Sequence, residues 1–116
     1  MITSRLEILD RDSWRDFLAA PTVVLMLGKT DCPVCRAWTE ELNGFLADDQ
    51  RWTEVRFGKL ELDRPGLGAF KKENPWLSEL DDLPYTIVYV AGEKKKEFLG
   101  GGIDRLVNRM QRVIQS

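Results

Sequence analysis

The sequence predicts an α/β fold, a central mixed β-sheet of four to five strands flanked by helices on both faces. Three observations carry that expectation. Two short runs, Val23-Val24-Leu25-Met26-Leu27 and Tyr85-Thr86-Ile87-Val88-Tyr89-Val90, are close to continuously apolar, as strands covered on both sides are. Apolar residues at helical spacing alternate with these strand patterns along the chain. Turn signals at Arg64-Pro65-Gly66, Ala91-Gly92-Glu93 and Gly100-Gly101-Gly102 separate the segments. With 116 residues, 43% of them apolar and 31% charged, the chain is expected to be one domain over residues 1–116 with a real hydrophobic core.

The elements follow in order. Leu6-Glu7-Ile8-Leu9 is a short first strand, and Asp12 or Ser13 is placed to cap a helix carrying Trp14, Phe17 and Leu18, which Pro21 stops. The apolar strand 23–27 comes next, then a helix running to about Ala47 with Trp38, Leu42, Phe45 and Leu46 on its apolar face. Val55 to Asp63 reads as a strand whose apolar parity switches at Gly58, the pattern of a bulge or bend. Leu67 to Glu73 is a short helix ended by Asn74-Pro75, and Trp76 to Asp82 a turn-like or short helical insert. Tyr85 to Val90 and Lys95 to Leu99 form a hairpin, and Ile103, Leu106, Val107, Met110 and Ile114 share one face of a last helix.

Composition excludes several classes. A net charge of −2 and the lack of a long basic run speak against nucleic acid. Lys94-Lys95-Lys96, followed by Glu97, reads as a charged edge strand that discourages sheet-to-sheet pairing. No apolar stretch approaches membrane-spanning length, and Met1-Ile2-Thr3-Ser4-Arg5 lacks the features of an export signal. A cytoplasmic protein with no membrane contact is expected.

Chemistry concentrates at Cys32-Pro33-Val34-Cys35, the two cysteines of the chain. Lying between a strand and a helix, the first thiol falls at a helix N-terminus, where unpaired backbone N–H groups and the helix dipole stabilise a thiolate. The second, one turn later, is close enough to form a small disulfide ring. Pro33 suits the first helical turn, where a missing N–H costs nothing. Three blander origins compete. Structural zinc needs about four ligands, and this chain has no histidine to complete a set. A structural disulfide closing so short a loop removes little unfolded-state entropy. Chance spacing does not account for the strand and helix around the pair. Redox chemistry is the favoured reading.

Over nearly its whole length the chain resembles the thioredoxin superfamily, and the fold is then thioredoxin-like. The resemblance rests on Cys32-Pro33-Val34-Cys35, on Lys59-Leu60-Glu61-Leu62-Asp63, on Leu83-Pro84-Tyr85-Thr86, and on the Gly-rich stretch before the last helix. It implies dithiol–disulfide exchange that needs no metal or organic cofactor, with Cys32 the attacking thiolate and Cys35 the resolving thiol. It also implies a cis Leu83–Pro84 bond facing the cysteines, with Leu83 pairing main chain with a substrate polypeptide. Pro33, Val34 and Gly101 complete the implied substrate-binding surface.

The departures from the family pattern have chemical consequences. Asp31 stands where thioredoxins carry tryptophan; a carboxylate there disfavours the neighbouring thiolate, against the helix N-terminus and Lys29. Pro33 precedes Val34, the order of many glutaredoxins. Met26 replaces a buried aspartate that helps deprotonate the resolving thiol, so the Cys35 proton must leave to water or to another base, such as Glu61 if it reaches inward. Lys59, the usual neighbour of that aspartate, is a candidate to tune the site from beneath. Glu40 replaces a kink-forming proline, and a short insertion lies between Phe70 and Pro84. Trp76, in that insertion, is the tryptophan placed to reach a substrate groove.

Three functions compete. The first is a reductase of protein disulfides, recharged by a thioredoxin reductase-like partner or by a thiol donor, with a part in electron transfer and cell redox balance. The second is a glutathione-dependent, glutaredoxin-like reductase, favoured by Pro33 and by Gly100-Gly101-Gly102-Ile103-Asp104. The third is a non-enzymatic module whose disulfide switches an interaction.

Overall fold

The computed structural model describes residues 5–49 and 51–114. Met1 to Ser4, read above for an export signal, lie outside the described residues. Nine elements and one 3₁₀ turn follow the expected order. They are β1 (Leu6–Ile8), α1 (Trp14–Leu18), β2 (Thr22–Gly28), α2 (Pro33–Asp48), β3 (Arg56–Glu61), α3 (Gly68–Glu73), the 3₁₀ turn (Pro75–Glu79), β4 (Tyr85–Val90), β5 (Glu93–Leu99) and α4 (Ile103–Ile114).

The five strands form one mixed sheet in the order β1-β3-β2-β4-β5. β3 pairs in parallel with both β1 and β2, whereas β4 runs antiparallel to β2 and to β5. The two near-continuous apolar runs thus occupy β2 and β4 inside the sheet, where both of their faces are covered. β5 lies at an edge with its lysines exposed, as its charge pattern predicts.

Because successive side chains alternate, each strand feeds two cores. Val24, Met26, Phe57, Val88 and Phe98 meet Trp38, Leu42 and Leu46 of α2 and Leu106 and Met110 of α4 on one face. Val23, Leu25, Leu27, Leu60, Ile87 and Tyr89 meet Trp14 and Phe17 of α1 and Phe70 of α3 on the other.

Two local expectations are corrected. β3 pairs with both neighbours without interruption through Gly58, so no bulge sits there. A Cβ at Gly58 would come within 2.7 Å of the Phe17 ring and 2.9 Å of Leu9. Close packing of α1 explains the glycine, and the sheet's irregularity falls instead between Val88 and Tyr89 in the β4–β5 pairing. At the start of α1, neither Asp12 nor Ser13 provides the side-chain cap. Asp10 Oδ1 accepts from the N–H groups of Asp12 (2.9 Å) and Ser13 (3.0 Å), while Ser13 Oγ accepts from the Asp10 N–H (2.9 Å). The acceptor lies two and three residues before those donors, in the chain entering the helix.

Candidate functional site

β2 delivers the chain to the end of the sheet, and α2 starts at once from the Cys32-Pro33 junction. Cys32 is the N-cap of α2, with extended backbone, and Pro33 fills the first turn. The Cys35 backbone N–H donates to Cys32 Sγ at 3.1 Å. A sulfur thus occupies the place of a capping oxygen, where backbone donors and the helix dipole favour negative charge. Cys32 and Cys35 are joined as a disulfide with Cα atoms 5.2 Å apart. Cys35 is the more enclosed sulfur residue, 1% exposed against 9% for Cys32. A pair so arranged can exchange with an outside thiol or disulfide at Cys32, while Cys35 stays out of reach.

A groove of 380 Å³ opens beside Cys32, lined by Lys29, Asp31, Pro33 and Val34 on one side and by Leu80, Asp81, Asp82 and Leu83 on the other. Asp31 and Pro33 are exposed at its rim, and Val34 is 60% exposed. The Leu83–Pro84 bond is cis, as the resemblance implies. The Leu83 N–H donates to Asp82 Oδ1 at 3.0 Å. Pro84 is buried, and its carbonyl accepts from the Gly100 N–H at 2.7 Å, which brings the Gly-rich loop to the same end of the sheet.

Gly101 belongs to this end for a packing reason. A Cβ there would lie 2.4 Å from the Trp38 ring. Trp38 in turn donates from Nε1 to Thr86 Oγ1 at 3.0 Å, and Thr86 Oγ1 donates to the Gly100 carbonyl at 3.2 Å. This buried chain of bonds ties α2 to β4 and to the loop before α4. It accounts for the glycine that a glutathione-binding reading would use.

Beneath the cysteines, the register decides which β3 side chains face α2. Met26 pairs with Lys59 and Gly28 with Glu61, so all four positions lie on the α2 face. Lys59 is largely enclosed, its side chain 13% exposed, and its Nζ lies 3.5 Å from Glu61 Oε2. Arg64 Nε holds the other carboxylate oxygen at 2.7 Å.

Sequence reasoning missed two contributors. Thr30, two residues before Cys32, donates from both its N–H and its hydroxyl to the Asp63 carboxylate just beyond β3. Those bonds hold the Asp63 carboxyl below its usual range and pin the loop that leads to the cysteines. Asp63 closes the Lys59-Leu60-Glu61-Leu62-Asp63 stretch, but no local pattern in the sequence pairs it with Thr30. The second contributor is Leu80-Asp81-Asp82, which forms the far wall of the groove. Trp76, the one tryptophan that is a candidate for the groove, lies instead against Tyr85 (6.4 Å between ring centres, planes tilted by 43°) and under Lys94, whose Nζ is 3.7 Å from its ring centre. It anchors the insertion to the hairpin rather than lining the groove. Among the described residues, no cluster of three or more cysteine or acidic side chains is arranged to hold a metal ion.

Compared by sequence, the chain matches no family model and no curated protein. Compared by structure, it is similar to many solved chains. Thioredoxin f2 of Chlamydomonas reinhardtii superposes with a TM-score of 0.71 at 22% identity, covering 92% of this chain and 94% of that one. Thioredoxin O2 of Arabidopsis thaliana in its oxidised state gives 0.74 at 19% identity, covering 97% and 96%. A chain from a complex of ferredoxin:thioredoxin reductase with thioredoxin f2 gives 0.75 at 15% identity, covering 98% and 100%. The fold expected from the resemblance is therefore the observed one, the thioredoxin fold.

Proposed function

We propose that this protein is a thioredoxin-like thiol–disulfide oxidoreductase acting on protein disulfides, a single domain over residues 1–116. One observation carries the reading: Cys32 is the more accessible of two bonded cysteines and its sulfur caps a helix N-terminus.

In the reduced protein the Cys32 thiolate attacks one sulfur of a substrate disulfide. That S–S bond breaks, a mixed disulfide forms, and the other substrate sulfur leaves as a thiolate that takes a proton. The Cys35 thiolate then attacks Cys32 Sγ, releasing the second substrate thiol and closing the Cys32–Cys35 disulfide. Two electrons pass to the substrate. The substrate chain lies in the groove between Val34 and Leu83, over Pro33 and Pro84, with Gly101 keeping the neighbouring loop low. Asp31 opposes and the helix N-terminus favours the Cys32 thiolate, with Lys59 contributing positive charge from beneath. A reductase returns the electrons; the matched complex of thioredoxin f2 with ferredoxin:thioredoxin reductase favours that donor class over glutathione. The work is placed in the cytoplasm, where a cysteine pair is more often catalytic than structural.

The test is trapping. Cys35→Ser accumulates mixed disulfides with a protein disulfide substrate, seen as a mass shift reversed by dithiothreitol, and Cys32→Ser accumulates none. Equal trapping by both variants, or faster alkylation of Cys35 than of Cys32 in the reduced wild type, would overturn the assignment.

A further inference from the structure

Two carboxylates are almost withdrawn from water, the side chains of Asp49 (1% exposed) and Glu61 (11% exposed). Asp49 ends α2 and is used up in holding the chain there. It pairs with Arg5 and accepts from the Trp52 N–H, far along α2 from the cysteines. Glu61 stands at the cysteine end of the sheet, paired there with Lys59 and Arg64.

Its position follows from the register. Gly28 and Glu61 are partners in neighbouring parallel strands, facing α2. A Cβ built on Gly28 would lie 3.3 Å from both Sγ and Cβ of Cys35. Cys35 therefore rests on the Gly28 backbone, and Glu61 is the next position across the sheet, about 4.8 Å over. Lys59 balances its charge on the inner side, and Arg64, from the turn after β3, holds its other oxygen. The other charged groups around this end are Lys29, Asp31, Asp81 and Asp82 about the groove beside Cys32, Arg36 exposed in the first turn of α2, and Asp63, engaged by Thr30. From α2, Cys32 and Cys35 face this end. From β2, Met26 faces it with a thioether, which cannot take a proton at neutral pH.

We propose that Glu61 is the proton acceptor for Cys35 in the resolving step, through one bridging water. The inference rests on the dithiol reading given above. As the mixed disulfide resolves, the Cys35 S–H proton passes to the Glu61 carboxylate, and the Cys35 sulfur bonds to Cys32 Sγ. The substrate sulfur departs with the electron pair of the broken S–S bond. The departing thiolate, or solvent, then takes the proton from Glu61, which returns as the carboxylate. Lys59 and Arg64 are positioning residues for that oxygen pair.

The experiment mixes the reduced protein with a symmetrical aromatic disulfide that liberates a coloured thiolate. The first release reports attack by Cys32 and the second reports resolution by Cys35, so the two ideas fail separately. Glu61→Gln is expected to leave the first release unchanged and to slow the second about 10²-fold at pH 7, the usual worth of positioned proton transfer. The deficit shrinks as pH rises, because hydroxide replaces the missing acceptor. Glu61→Asp keeps the charge and slows the second release less than Glu61→Gln does. A second release in Glu61→Gln as fast as in the wild type overturns the proposal. So does a deficit that is the same at every pH, or equal slowing by Asp and Gln. Absence of the first release in the wild type overturns the dithiol reading, and this proposal with it.

Discussion

The two faces of the sheet are packed to similar depth but carry different groups. Between the sheet and α1 with α3 lies an apolar layer built from Leu25, Leu27, Phe17, Phe70 and their neighbours; Tyr89 differs, its buried hydroxyl having no hydrogen-bond partner among the described residues. Burial first, and then the Glu97 carboxylate, push the Tyr89 phenol well above its usual range, so it stays neutral. Between the sheet and α2 with α4, the same strands bury Cys35, the Trp38–Thr86 hydrogen bond and the Lys59–Glu61 pair. Buried polar groups are costly unless partnered, and here each is partnered within the cluster. The difference teaches that one layer chiefly holds the sheet together. The other accepts the cost of polar groups at the end of the sheet where the cysteines lie.

The largest expected effect separates the layers directly. Phe17 is fully buried against Gly58 in the apolar layer. Phe17→Ala is expected to cost about 3–5 kcal/mol, read as a lower denaturant midpoint. The folded fraction should still reduce disulfides at the wild-type rate. A change in the rate per folded molecule would mean that the layers are not separable.

Trp38→Phe is the counterpart on the other face. It removes the donor to Thr86 and part of a ring that supports Gly101. A loss of about 1–3 kcal/mol is expected. Unlike Phe17→Ala, it should also slow exchange with a protein disulfide, because the loop next to Pro84 loses its support. Stopped-flow reduction of such a substrate, corrected for folded fraction, measures it; an unchanged rate would make Trp38 a packing residue only.

The smallest effect concerns the loop in front of the cysteines. The Asp63 carboxyl is held below its usual value by its bonds from Thr30. A group depressed in the folded state stabilises that state fully above its unfolded value of about 3.9, and the contribution fades as pH falls below it through the folded value. Asp63→Asn should therefore have a lower midpoint than the wild type at pH 7, and the gap should narrow on acidification below about pH 4. A gap independent of pH would assign the effect to packing.

Much of the fold was legible because its signals are local. The continuous apolar runs marked the two inner strands, the lysines of β5 marked an edge, and Gly92 marked the hairpin. The cysteine pair announced itself by lying where a strand pattern gives way to a helix pattern. Local signals also misled where their cause was distant. The parity switch at Gly58 suggests a bulge or bend, although the glycine answers to Phe17, over forty positions earlier in the chain. Ser13 has a good capping side chain, but it serves Asp10, whose own carboxylate takes the capping bonds.

What residue order determines here is the succession of elements and the helix N-terminus that meets Cys32, since both depend on neighbours within a turn or two. Which side chains meet beneath Cys35 depends on strand register, and a slip of one residue would send Lys59 and Glu61 to the opposite face. The pairing of Gly28 with Glu61, the Thr30–Asp63 clasp and the seating of Trp38 on Gly101 join residues about 33 to 63 positions apart. Such contacts leave no periodic trace in either segment. They exist only once packing on both faces has locked the register, which is why the site's supporting residues emerged from the tertiary structure and its cysteines did not have to.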